Sequence, residues 1–195
     1  MKFVSAVSRE SDLAKAGAEC ADRVRAAGVR PDLLLVFVTP DHGANDPGEH
    51  LASLRAATGA RHLVGCTGAG LIGGGAEHEE QPALTVLALS LPGAAIHPYH
   101  FTQEEMEPAE AGAFLRGHLP DLPAGARPVY LVLAEPYTFD TERLLAEIDA
   151  AHPGAPALGG NASGGGGPGQ QPLFLDGDVF TEGAIGVRLA GGFEF

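Results

Sequence analysis

The chain has 195 residues, of which 45% are hydrophobic and 19% are charged, a balance typical of folded globular proteins and not of disordered ones. Its formal net charge is −13, from 12 lysines and arginines against 25 aspartates and glutamates. Because a polyanion needs a basic surface, this charge argues against a nucleic-acid partner.

The first half of the chain alternates between strand and helix patterns. Residues 3–7 predict a strand, and the apolar positions of residues 11–27 recur at helical spacing until Gly28, which suits a helix stop. The continuous apolar run 33–38 is typical of a buried strand, and a second helix is predicted over residues 49–57.

Two further strands of this half, residues 61–66 and 83–91, are separated by a glycine-rich segment, residues 67–75. The second half repeats the order, and the acidic run 103–107 is expected to initiate its first helix. Its predicted elements are a strand over 95–101, a helix near 108–118, a strand over 128–134, a helix capped by Thr138 or Asp140 with Leu144, Leu145 and Ile148 inward, a glycine-rich segment within 157–169, and a strand over 183–189.

The spacing of equivalent residues indicates an internal duplication. Pro40 and Pro136 are 96 positions apart, and Gly65 and Gly159 are 94 apart. We therefore interpret residues 1–195 as one α/β domain built from two pseudo-repeated units, each in the order strand, helix, strand, helix, strand, glycine loop, strand. The units are residues 1–93 and 94–195, which are expected to pack as a pseudo-symmetric pair.

One departure between the two copies is a hairpin predicted over residues 172–180, where Asp176 and Gly177 suit a tight turn. The first copy has only the polar segment 77–80 at that place, which gives no hairpin signal.

The two glycine-rich segments follow strands, which is where α/β proteins place ligand-binding loops. Backbone N–H groups of such loops can hold a carboxylate or phosphate, because glycine lets the ligand approach closely. Residues 68–73 match a GxGxxG pattern, but no clear helix follows, so a dinucleotide is not expected. The predicted ligand-binding residues are Cys66, Thr67, Gly68, Ala69 and Gly70 with Gly160, Asn161, Ala162, Ser163 and Gly164.

Acidic side chains near the strand ends are candidates for binding an ammonium group. Asp41 and Asp46 follow the strand of residues 33–38, and Glu135 follows its counterpart. Ordinary loop polarity accounts for them equally well. His97 and His100 would point to opposite faces of a strand, so a metal pair is not expected. No cofactor is expected either.

Cys66 stands where a strand becomes a glycine loop, a bend that can present a nucleophile. The candidate bases for such a thiol are His42, His50, His62 and His78. The alternative is that Cys66 is a small buried hydrophobe, as Cys20 on the inner face of the first helix is expected to be. Two cysteines without CxxC spacing indicate a reducing, cytoplasmic location rather than a disulfide framework.

No apolar run approaches the roughly 20 residues that a membrane-spanning helix needs, so a membrane partner is not expected. The remaining partner classes are a small-molecule ligand, a second copy of the chain or a signalling protein.

The block 63–75, the strand over 83–91 and the segment 158–164 resemble the N-terminal FIST domain in order and motif, over nearly the whole chain. That resemblance implies an intracellular sensory module of signal transduction that binds a small ligand such as an amino acid. The family's usual layout adds a C-terminal FIST domain, so the resemblance also implies a stand-alone half or a protein that pairs with another.

Three functional hypotheses follow. The first is a non-enzymatic sensor whose ligand lies between the two copies, at the paired glycine loops. The second is a hydrolase or transferase that uses Cys66 as its nucleophile. The third is an interaction domain that dimerises through an edge left uncovered.

Overall fold

The computed structural model describes residues 1–42, 47–106, 110–123 and 125–191. In the first half, the elements are β1 (Lys2–Ser8), α1 (Leu13–Ala26), β2 (Leu33–Val38), α2 (Pro47–Thr58), β3 (His62–Thr67), β4 (Gly70–Gly73), β5 (Ala76–Glu79) and β6 (Leu84–Ser90). In the second half, they are β7 (Ala95–Phe101), α3 (Ala113–His118), β8 (Val129–Ala134), α4 (Thr141–Ala151), β9 (Ala157–Asn161), β10 (Leu173–Leu175), β11 (Asp178–Phe180) and β12 (Ala184–Ala190).

Two sheets lie face to face, and helices cover the outer face of each. The larger sheet has the order β1-β6-β2-β3-β10-β11 with α1 against it, and the smaller has the order β7-β12-β8-β9 with α3 and α4 against it. A third apolar cluster fills the space between the sheets. The predicted mixed α/β class is confirmed.

Alternation along the buried strands explains their continuous apolar runs. On β2, Leu34 and Val36 pack toward the helices, whereas Leu33 packs in the cluster between the sheets. On β8, Tyr130 packs toward the helices and Leu133 packs in the cluster between the sheets. Both faces of each central strand are covered by apolar groups, which requires hydrophobic residues at every position.

The two halves share a strand order and a set of strand senses. In each, the first strand pairs antiparallel with the last, the last pairs antiparallel with the second, and the second pairs parallel with the third. This agreement supports the internal duplication and the boundaries 1–93 and 94–195, which stay a prediction. The hairpin β10–β11 lies outside the common plan, because it belongs to the second half but pairs with β3 of the first.

The hairpin turn was predicted from sequence and is confirmed: Asp176 and Gly177 both have positive φ, 55° and 111°, as a two-residue turn requires. The first copy was expected to have no hairpin here, and that prediction is wrong. Its glycine-rich segment and the following polar residues form the hairpin β4–β5, with Gly74 and Gly75 in the turn.

Two helix predictions also need correction. Leu145 was expected to face inward, but it is 43% exposed, while Leu144 and Ile148 are buried. The acidic run was expected to start a helix, but residues 103–106 form turns, in which Glu105 accepts hydrogen bonds from the backbone and hydroxyl of Thr102. Glu107 lies outside the described residues, and α3 begins only at Ala113.

Among the described residues, none of the helices has the length and hydropathy needed to cross a membrane.

Candidate functional site

The two glycine-rich segments are in contact, as the sequence analysis predicted for the paired glycine loops. The Ser163 amide donates to the carbonyl of Thr67 at 3.1 Å, and the Ala69 amide donates to Ser163 Oγ at 3.0 Å. Gly164 completes the contact, because a Cβ there would lie 3.0 Å from the ring of Pro40.

Equivalent pairing of β3 and β9 brings the segments together. The Gly68 amide donates to the carbonyl of Val38 at 3.0 Å, beyond the end of β3, and the Ala162 amide donates to the carbonyl of Ala134 at 2.8 Å, beyond the end of β9. In both halves, the hydrogen bonding to the parallel neighbour therefore continues for one residue beyond the end of the third strand, β3 or β9. The two loops start at matching positions.

The loop amides already have partners within the protein. Those of Thr67, Gly68, Ala69, Ala162 and Ser163 each donate to an oxygen of another segment. A ligand carboxylate would therefore have to displace these bonds to reach the amides, which changes the chemistry expected of the loops.

The other predicted ligand-binding residues occupy strands. Gly70 begins β4, while Gly160 and Asn161 end β9 and are exposed to solvent. Asn161 Oδ1 accepts a hydrogen bond from the Thr141 hydroxyl at 3.3 Å, at the start of α4.

Three buried side-chain oxygens, on residues next to or bonded to the two loops, accept no hydrogen bond from any described residue. They are Oγ1 of Thr67, Oε1 of Glu135 and Oε1 of Gln171, whose residues are 6%, 0% and 2% exposed. Among the described residues, these are all the buried side-chain oxygens without a partner.

Each of the three oxygens belongs to a residue tied to the second glycine loop. Thr67 accepts from Ser163, the Gln171 amide nitrogen donates to the carbonyl of Gly165 at 2.8 Å, and Glu135 follows Ala134, which accepts from Ala162. The sequence analysis named Thr67 and Glu135 but missed Gln171. Gln171 could have been found as a polar residue that lies between the glycine-rich segment and the apolar strand β10.

Buried acceptors without donors are energetically costly, so this arrangement favours a group that brings N–H or O–H donors. The second oxygen of the Glu135 carboxylate accepts from the Tyr137 amide at 2.9 Å, which fixes the orientation of that side chain. Asp41 is exposed on the turn Pro40–His42, and Asp46 lies outside the described residues.

Cys66 lies between the two sheets, 4% exposed, among apolar side chains of both. Burial raises the pKa of its thiol to about 12, so it is protonated at neutral pH and a poor nucleophile. Three of the four candidate bases have other contacts: His62 pairs with Asp176, His42 lies against the carbonyl of Ser11, and His78 against that of Gly73.

Grooves in the described part of the chain include one beside β1 and one that borders the second glycine-rich segment. The larger, about 560 Å³, runs between the end of β1, α1 and the β4–β5 turn and has charged side chains from Arg9, Glu10, Glu19 and Arg23. The smaller, about 280 Å³, lies between α4 and β9 and includes the predicted residues Gly160 and Asn161.

The chain is an α/β protein with two stacked mixed sheets and helices on their outer faces. Its two glycine-rich loops are in contact with each other. The FIST N domain family matches residues 32–195, and the chain belongs to that family. The resemblance seen in the sequence is thereby confirmed.

Similar proteins are found in mycobacteria. The chain is 32% identical to "Uncharacterized protein Rv0628c" and to "Uncharacterized protein MT0656", both of Mycobacterium tuberculosis, over 98% of this chain and 48% of each relative. It is 31% identical to "Uncharacterized protein Mb0898c" of Mycobacterium bovis, with the same coverage. The chain thus spans about half the length of these curated relatives.

Proposed function

We propose that this FIST domain is a non-enzymatic, intracellular sensory domain that binds a small ligand with an amine, such as an amino acid, for signal transduction. The ligand site is the edge where residues 66–70 and 160–164 meet. The single observation that carries the proposal is the buried Glu135 carboxylate, whose Oε1 accepts no hydrogen bond from a described residue.

An ammonium group matches this environment in both charge and hydrogen bonding. It carries three donors, of which one would go to Glu135 Oε1, while Thr67 Oγ1 and Gln171 Oε1 are further unpartnered oxygens on residues bonded to the second loop. The negative carboxylate favours a cation over a neutral alcohol, since charge-assisted hydrogen bonds are roughly twice as strong as neutral ones. The amine, rather than the carboxylate, is therefore the part of the ligand that this edge recognises.

Entry of the ligand couples binding to the loops. Glu135 is fully buried, so we propose that an amine reaches Oε1 when the contact between Ser163 and residues 67–69 opens. Binding would then change the relative position of the two loops, which connects occupancy to a conformational signal.

Thermal unfolding against the twenty amino acids and putrescine tests the proposal. A ligand at about 100 times its dissociation constant stabilises the folded state by about 2.7 kcal/mol. We expect an amine to raise the Tm of the wild type and to lose this effect in Glu135→Gln. Glu182→Gln, at an exposed glutamate, is the matched control and should retain it. Equal shifts in both variants, or no shift with any amine, would contradict the proposal.

The Cys66 hydrolase or transferase alternative receives no support from the site. Its thiol is buried in an apolar cluster, and its pKa is raised to about 12 by that burial.

A further inference from the structure

One edge of the smaller sheet has no partner strand among the described residues. There β9 pairs with β8 alone, and all five of its residues are exposed. Leu158 on β9 is 57% exposed and Leu145 on α4 is 43% exposed, and both line the groove of about 280 Å³ beside this edge.

The backbone groups that face outward follow from the parallel ladder with β8. The Tyr130 amide donates to the carbonyl of Pro156, and the Ala162 amide donates to that of Ala134. Since residues of a parallel strand face its partner alternately, Leu158 and Gly160 bond to β8. Ala157, Gly159 and Asn161 therefore present their N–H and C=O groups to the free edge.

The equivalent edge of the larger sheet is covered. There β10 lies antiparallel to β3, with Phe174 opposite Gly65 and Leu173 opposite Cys66. Gly65 and Gly159 hold matching positions next to Val36 and Val132 of their parallel neighbours. The same chain thus shows that this kind of edge accepts an antiparallel strand.

β9 has no charge, proline or register shift that opposes such pairing, and its one unusual backbone angle is the φ of 146° at Gly159. Natural sheets protect a free edge with lysine, proline or a bulge, and β9 has the uncharged sequence Ala-Leu-Gly-Gly-Asn in regular register with β8. Two consecutive glycines also allow another backbone to approach closely.

We propose that β9 pairs antiparallel with β9 of a second copy of this chain, with the two-fold axis beside Gly159. The outward residues are symmetric about that position, so Ala157 of one copy faces Asn161 of the other and every outward group finds its complement. A contact of this kind uses the same surface on both copies and closes as a dimer. The contact shares Gly160 and Asn161 with the proposed ligand site, but it is tested without ligand, through the oligomeric state alone.

Light scattering after gel filtration, from about 1 to 100 μM, measures the association. We expect the wild type to have twice the 19.9 kDa mass of one chain at the upper concentrations. Ala157→Pro removes an outward N–H without touching the β8 ladder, and Leu158→Lys places a charge beside the edge. Both variants should be monomers at these concentrations, because each change should raise the dissociation constant of the dimer at least tenfold.

Val179→Lys, at the 38% exposed valine of β11, an edge strand of the larger sheet, is the matched control and should remain a dimer. Circular dichroism checks that each variant is folded. A second measurement uses the double variant Ala157→Cys with Asn161→Cys, which should form a covalent dimer under mild oxidation. A monomeric wild type across the range, or a dimer unaffected by both edge variants, would overturn the proposal.

Discussion

Gly65 and Gly159 occupy matching positions in the two sheets, each against the carbonyl oxygen of a valine in the neighbouring parallel strand. A Cβ on Gly65 would lie 1.8 Å from the oxygen of Val36, and one on Gly159 would lie 1.7 Å from that of Val132. Both positions require glycine because a backbone oxygen at the centre of a sheet cannot move aside.

Replacement of Gly65 by alanine should therefore destabilise the protein strongly, by roughly 2–4 kcal/mol, because the clash displaces β2 or β3. Gly117→Ala is the control, since a Cβ there meets nothing within 4 Å. Urea unfolding of both variants provides the measurement. A midpoint for Gly65→Ala equal to that of the wild type would refute the assigned packing.

Asp176 should make stability dependent on acid pH. Burial by itself raises the pKa of its carboxyl, but hydrogen bonds from His62 and Leu63 and the charge of Arg55 more than offset this and hold the pKa below its usual value. The resulting stability is present above the unfolded-state pKa of about 3.9 and is lost as the pH falls through the lowered folded value.

We expect Asp176→Asn to unfold about 1 kcal/mol more easily than the wild type at pH 7, and this difference to shrink toward zero below pH of about 3. Asp178→Asn, on the exposed side of the same turn, is the control. Unfolding free energies measured across this pH range decide the matter, and a difference that stays constant would count against the pairing of Asp176 with His62.

Neither cysteine should react with iodoacetamide in the folded protein. Burial is the main cause that raises the thiol pKa of both Cys20 and Cys66 to about 12, against about 8.5 for a free cysteine. Mass spectrometry should show labelling of both only after denaturation in guanidinium. Rapid labelling of native Cys66 at pH 7 would instead reopen the nucleophile hypothesis.

Thr39 joins the end of β2 to the start of β6. Its hydroxyl donates to the carbonyl of Gln81 at 2.9 Å and accepts from the Ala83 amide at 2.8 Å, in a residue 1% exposed. Thr39→Val keeps the shape but leaves that amide without its side-chain acceptor, at a cost of about 1–3 kcal/mol. Thermal unfolding against exposed Thr181→Val measures it, and equal Tm values would disprove the role.

Much of the fold was predictable because local signals agreed with the tertiary structure. The apolar runs of β2 and β8 matched strands covered on both faces, and Asp176-Gly177 matched its turn. Contact between the glycine loops agreed with their equivalent places in the two halves, each after a third strand that pairs parallel with the second.

The remaining features depend on contacts between distant segments. Leu145 was expected to be buried from its helical spacing, but it lies near the exposed edge strand β9 and lines the groove there. The partners of the loop amides, such as the carbonyl of Pro172 for Thr67, come from residues far away in the sequence. The hydrophobic periodicity of the sequence reports local structure, so it predicts neither the exposure of Leu145 nor the partners of the loop amides.

The pairing of β3 with β10 interlocks the two halves of the chain. During synthesis, the larger sheet stays incomplete until the ribosome has released residues 173–180, long after β1, β2 and β3 have emerged. A fragment cut between residues 93 and 94 would therefore leave the outer side of β3 without its antiparallel partner until the second fragment supplied β10.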